Sequence, residues 1–304
     1  SPGIPSGSFR SAISGTALLP VVLTRIFRHR AGTLLVVVSD SLRAERLADS
    51  LNSFRELSGE SREIISIPEV VSGRQQWVAE NEAGHCAALE ALLSGRQAIY
   101  LATAQVLLNP TLSPAGFRQR TFHIRKGDQI SPEELARRLT ELDYDHEYEV
   151  QAPGEYARRG GIFDLYSPLC EAPVRLEFWG NEIDSMRYFQ PDSQRSGEEL
   201  EEIRIIPRGS TVLNADAGEC ALVWDYFDPA TPLVFCSGNT IEEHLREFAG
   251  EEPLELWQQK CKQVTESIEL DCLDEDFSPE TGQPSESGPA ASFDVVSLEE
   301  LFSD

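Results

Sequence analysis

Residues 153–166 read PGEYARRGGIFDLY and residues 173–187 read PVRLEFWGNEIDSMR. Side chains alternate between the two faces of an extended strand. Over residues 174–179 this alternation sends Arg175, Glu177 and Trp179 to one face and Leu176 and Phe178 to the other. The second face reads as core. The first brings together an Arg and a Trp, residue types enriched at the energetic centres of protein–protein contacts. A quieter reading stands beside it, in which Arg175 pairs with Glu177 or with an acid on the neighbouring strand and Trp179 is buried at the sheet edge.

Outward from this block, residues 160–166 and 174–179 are strand candidates joined by a Ser-Pro loop, and residues 181–189 continue the β-rich pattern to an end near Pro207. On the N-terminal side, residues 121–125 form a β-rich opening, Lys126-Gly127-Asp128 a turn, and Ser131-Pro132-Glu133-Glu134 the start of a helix. Ser at the cap, Pro at the first helical position and Glu at the third make a capping-box start. Earlier still, residues 34–39 are a continuous apolar run of the kind that fills a parallel sheet covered on both faces. Asp40 then caps a helix bearing Leu42, Leu47, Leu51 and Phe54. Short strands at 64–67 and 98–103 and a helix at 85–93 continue an alternation of strand and helix, which predicts an open α/β domain. Beyond Arg208 the sequence offers a buried strand at 232–236, a helix at 241–248, a flexible acidic loop at 271–289 and a short closing helix at 295–302.

The chain has 304 residues, 40% hydrophobic and 25% charged, which is a globular composition with room for more than one core. Its 26 Lys and Arg stand against 51 Asp and Glu, a net charge of −25, and the excess lies after residue 160, where 8 basic residues meet 32 acidic ones. Such a field repels phosphate backbones, so free-standing DNA binding is not expected. Six scattered cysteines include no CxxC and no Cys/His pair at zinc spacing, which predicts a reduced, cytoplasmic chain. No apolar run approaches a membrane span. The lone Met186 and the missing initiator suggest a piece of a longer protein.

Signatures of catalysis are missing. A P-loop needs GxxxxGK[ST], because backbone amides cradle the phosphates while Lys neutralises the distal charge. The early turn reads ISGTALLP over residues 13–20, with no Lys where that cation must stand, so ATP hydrolysis by this segment is not expected. There is no GxSxG, HExxH or HxE with CxxC, and the five histidines are far apart. No catalytic residue, metal ligand or cofactor is assigned.

The block GEYARRGGIFDLYSP…PVRLEFWGNEIDSMRYFQPDSQRS over residues 154–196 resembles the bacterial transcription-repair coupling factor family (Mfd), whose N-terminal region is similar to the excinuclease component UvrB. The Lys-Gly turn and helix at 126–142 and the IxxxP ending at 203–207 match the same family, and 34–54, 99–110, 225–227 and 232–236 agree more loosely. The resemblance implies an α/β fold: a degenerate RecA/P-loop-like domain, discontinuous over residues 1–118 and 208–304, interrupted by a small α+β inserted domain at 119–207. It further implies that the inserted domain binds the excinuclease component UvrA, bringing nucleotide excision repair to stalled RNA polymerase. The family's contact residues carry over as Arg159, Arg175 and Trp179, the last standing where the family has a second Phe. RNA polymerase and DNA would be engaged only by downstream domains, and a monomer is expected. Two other implied readings are an ATP-dependent, UvrB-like helicase unit and an autoinhibitory domain folding onto a translocase motor. The stretch 69–84 matches the family poorly.

Overall fold

The five residues of β2 (Leu34–Val38) are all buried, which is why their sequence is apolar without alternation. The computed structural model describes residues 8–14, 18–58, 62–70, 79–191, 195–209, 219–273 and 294–295. Two compact units divide the chain. One comprises 1–67, 95–109 and 227–304, the other 68–94 and 110–226.

In the first unit, β2 lies within a seven-stranded sheet with β1 (Ser8–Ser14), β3 (Glu63–Ser66), β4 (Ala98–Thr103), β15 (Leu233–Cys236), β16 (Ser267–Leu273) and β17 (Asp294–Val295). The order is β17-β1-β16-β15-β2-β4-β3, and every pairing is parallel. Parallel neighbours need crossover connections, here largely helical. Helices α1 (Leu19–His29) and α2 (Ser41–Ser58) cover one face, burying Leu23, Ile26, Phe27, Leu47 and Leu51 against Leu34, Val36, Val38, Ile99 and Leu101. The opposite side chains of the same strands, Leu35, Val37 and Tyr100, are equally buried, on the side of α4 (Ala104–Leu108), α7 (Gly238–Phe248) and α8 (Glu251–Cys261). There Phe235 meets Trp257 edge-on with ring centroids 5.9 Å apart. Asp40 caps α2 by accepting the Arg43 amide at 2.9 Å.

The second unit adds α3 (Ala79–Leu93), β5 (Pro110–Leu112) paired with β14 (Cys220–Leu222), and α5 (Pro114–Gln119). Next come β6 (Phe122–Arg125) paired with β13 (Glu202–Ile205), and α6 (Pro132–Glu141). A six-stranded sheet, ordered β12-β11-β10-β9-β8-β7, is built from β7 (Asp145–His146), β8 (Glu155–Arg159), β9 (Ile162–Leu165), β10 (Val174–Trp179), β11 (Glu182–Phe189) and β12 (Ser196–Glu199). Its pairings are antiparallel except β7 with β8. One face of this sheet packs on α6, β6 and β13 through Tyr156, Phe163, Leu165, Leu176, Ile183, Met186, Leu135, Leu139, Ile124 and Ile203. The unit takes in α3, upstream of residue 119, because α3 is tied to the end of β13. Glu90, only 4% exposed, pairs with Arg204, and the Cys86 thiol donates to the Arg208 carbonyl.

The fold is thus a discontinuous parallel α/β domain with a small α+β domain between its pieces. Three local expectations meet a different outcome. Asp271, Cys272 and Leu273 do not begin a loop but close β16, opposite Ala12, Ile13 and Ser14. Val295 does not open a helix but pairs with Arg10 at the sheet edge. Ser131 caps α6 by accepting the Glu134 amide at 3.1 Å, yet the Glu134 carboxylate, rather than closing the box, turns along the helix to Arg137 and Arg138. The turn residues 15–17, the acidic stretch 274–289, residues 296–302 and part of 69–84 lie outside the described residues.

Candidate protein interface

Two hairpins set the outer face of the six-stranded sheet. Gly160 (φ +63°) and Gly180 (φ +64°) each take the first central position of a two-residue turn, the left-handed conformation that keeps the turn's twist matched to its strands. With the inner side chains committed to the core, alternation directs Ala157, Arg159, Ile162, Asp164, Arg175, Glu177, Arg187 and Phe189 outward. Register aligns them in two rows, Ala157–Asp164–Arg175–Arg187 and Arg159–Ile162–Glu177–Ser185. A shift after Glu177 places Phe178 opposite Ile183 and leaves Asp184 as an extra residue. Trp179 then pairs with Glu182 at the hairpin tip.

Arg175 donates through Nε and Nη2 to both carboxylate oxygens of Asp164, at 2.7 and 2.8 Å. Its guanidinium carbon lies 4.5 Å from the centre of the Phe189 ring, a cation–π contact. Asp164 is only 6% exposed, so the pair is largely withdrawn from water. The hydrogen bond to Asp164 drives the Arg175 pKa further up. Alongside, Glu177 accepts the Ser185 hydroxyl at 2.8 Å and faces Arg187 Nη2 at 3.5 Å.

Arg159 has another environment. Its Nη2 donates to the Tyr148 carbonyl at 2.6 Å and lies 3.3 Å from a Glu149 carboxylate oxygen, while its guanidinium carbon sits 4.6 Å from the Tyr148 ring centre. Trp179 is 83% exposed and Ile162 40%. The structure therefore places Arg159, Arg175 and Trp179 on one face. Arg175 does pair with an acid on the neighbouring strand, as the quieter reading has it, whereas Trp179 is not buried.

Tyr148, 81% exposed, is the member of this face that strand alternation does not reach, because it sits in a connection. That connection is pinned on both sides of it. The Glu147 amide donates to the Tyr156 carbonyl at 2.9 Å, and Val150 is buried with Ala157 and Phe189. Glu155 accepts the Gln151 and Ala152 amides at 2.7 and 2.9 Å. Gly154 follows at φ +85°, where a Cβ would fall 2.3 Å from the aliphatic stem of Arg208. Arg208 is itself held by the Asp143 carbonyl at 3.2 Å and by an ion pair with Asp145. The one signal available in sequence is Val150, a lone apolar residue closing the run Glu147-Tyr148-Glu149.

This face offers cations, aromatic edges and an aliphatic residue, which is recognition chemistry. Among the described residues no group of His, Cys, Asp and Glu is placed to hold a metal ion. Burial pushes the Cys170 thiol up to about 11, so it is protonated and weakly nucleophilic at neutral pH. No described helix is long and apolar enough to cross a membrane.

Residues 122–210 match the family model of the UvrB interaction domain. The chain is 30% identical over 210 residues to the transcription-repair-coupling factor of Bacillus subtilis (strain 168), covering 68% of this chain and 17% of that protein. With the transcription-repair-coupling factor of Escherichia coli (strain K12) it shares 28% identity over 197 residues, 64% of this chain and 17% of the relative. With that of Myxococcus xanthus it shares 34% over 111 residues, 36% and 9% respectively. The chain thus spans 17% or less of the length of these three relatives.

Proposed function

From the premise that residues 122–210 are a UvrB interaction domain, in a chain similar to the N-terminal region of the transcription-repair-coupling factors, we propose that its outer sheet face recruits the excinuclease component UvrA. In this role the chain is a non-catalytic binding module that brings nucleotide excision repair to stalled RNA polymerase. The observation that carries the reading is Trp179, 83% exposed on the same sheet face as the half-exposed Ile162, since a protein surface rarely leaves a Trp so bare unless something covers it.

Each residue has a distinct part. Trp179 supplies the apolar anchor that fills a recess on the partner. Arg159 meets a partner carboxylate. Arg175, braced by Asp164 and Phe189, is the fixed cation of the adjoining row. The partner surface that these two guanidinium groups fit is acidic around an apolar pocket.

The test is calorimetric titration of this chain with purified UvrA, using Trp179→Ala and Arg159→Glu as variants. Both positions are exposed, so the fold survives the changes. The expected result is a wild-type Kd of about 1 μM or tighter, roughly −8 kcal/mol, weakened at least tenfold in each variant. Absence of binding by the wild type, or wild-type affinity in both variants, overturns the proposal.

A further inference from the structure

We infer that Tyr148 and Arg159 act as one recognition unit on this face, with the tyrosine ring as the platform that aims the guanidinium at a carboxylate of UvrA. The inference rests on the function proposed above and adds a residue that neither the strand pattern nor the resemblance assigns. Three observations carry it.

The first is stacking. The Arg159 guanidinium carbon lies 4.6 Å from the Tyr148 ring centre, and Nη2 is fixed at 2.6 Å by the carbonyl of that same residue. Ring and carbonyl together restrain both the tilt and the rotation of the guanidinium plane. The second is donor bookkeeping. Both hydrogen bonds of Arg159 use Nη2, so Nε and Nη1 have no partner among the described residues. Arg175 differs, because Asp164 already takes its Nε and Nη2. Nε and Nη1 lie on different edges of the guanidinium, so each can give one charge-assisted hydrogen bond to a partner carboxylate oxygen.

The third is rigidity. An 81% exposed tyrosine on a loose loop would hold nothing. Here the Glu147 amide is bonded to β8 just before Tyr148, and Val150 is buried against Ala157 and Phe189 just after it. The platform is therefore fixed to the sheet that carries Arg159. Pre-setting a long side chain before contact removes part of the ordering cost of binding.

A carboxylate is the chemistry favoured by this unit, since an anionic oxygen suits a fixed cation that still has unoccupied N–H groups. The Glu149 carboxylate, 3.3 Å from Nη2, balances the cation in the free protein and leaves Nε and Nη1 open.

The experiment is a double-mutant cycle in the 304-residue chain, titrated with UvrA, comprising wild type, Tyr148→Ala, Arg159→Ala and the double variant, with Tyr148→Phe and Trp179→Ala alongside. The expected pattern is a loss of about tenfold in each of the first two singles and no more than about twofold further loss in the double. Tyr148→Phe, which keeps the ring, stays within about twofold of wild type. Wild-type binding by Tyr148→Ala, additive losses near a hundredfold in the double, or a Tyr148→Phe loss equal to that of Tyr148→Ala each overturn the inference. If Trp179→Ala weakens binding while Tyr148→Ala does not, the face is the docking site and the platform is wrong. If the wild type does not bind, the reading of the face fails and the platform falls with it.

Discussion

The Arg175–Asp164 pair ties a residue of the proposed docking face to the stability of the sheet. Removing the guanidinium strands a carboxylate that is 6% exposed, and breaking a buried ion pair from one side costs about 3–5 kcal/mol. Arg175→Ala is expected to lose about 3 kcal/mol in urea unfolding, and Arg175→Glu more, since it sets two carboxylates face to face. Loss of partner binding in Arg175→Glu would therefore mix unfolding with contact loss, which is why exposed Trp179 and Arg159 are the cleaner probes. At Gly154, a methyl group meets both a left-handed backbone and the buried Arg208 stem, so Gly154→Ala should destabilise by at least about 1 kcal/mol. His85 gives a pH signature. It is 1% exposed with Nδ1 2.9 Å from the Pro68 carbonyl oxygen, and burial lowers its pKa below the ordinary 6.5. The unfolded chain then takes up a proton that the folded chain refuses. Stability is full above pH 6.5 and falls as pH drops below it. Urea midpoints between about pH 7.5 and 5.5 should fall in the wild type and fall less in His85→Gln. Glu134, held down to about 2 by hydrogen bonds from Arg137 and Arg138, acts at much lower pH. Placement of Arg159, Arg175 and Trp179 on one face was legible from alternation and resemblance. Tyr148 was not, because a loop residue has no period to read.

Elements were legible where burial is two-sided or a cap is explicit. The run LLVVV of β2 and the Ser-Pro start of α6 are such cases, and Ser131→Ala should cost about 1 kcal/mol of urea stability by orphaning the Glu134 amide. Other elements hid for physical reasons. The sequence EYARR of β8 looks like a charged loop, because Tyr156 faces the core, Ala157 a small cluster on the other face, and the two arginines water. In β16, Ser267 and Glu269 are buried between Ile268 and Leu270, so polar residues interrupt what is nevertheless an interior strand. Helix α8 carries Pro253, which reads as a breaker but sits in the first turn, where no amide is needed. Turn chemistry supplies a further test. Gly180 holds φ +64°, so Gly180→Ala should lose about 1 kcal/mol and loosen the strand end bearing Trp179, read as weaker binding to UvrA.

At the scale of the whole molecule, a net charge of −25 makes a direct statement about partners. This chain should fail to retard a double-stranded DNA fragment at about 150 mM salt, and a shifted band that disappears only at high salt would overturn that reading. Connectivity has a separate effect. The outer-lying strand β1 has no early neighbour, since Ser8 pairs with Ser267 and Phe9 with Asp294. At about 5–20 residues per second, the nascent chain spends roughly 15–50 s on the ribosome between making β1 and releasing its partner. The meander β8 to β12, in contrast, pairs with its own immediate neighbours and can close while the rest is still being translated. The six-stranded sheet can thus mature ahead of the parallel one, and β1, made about 250 residues before its partner β16, waits longest for shelter.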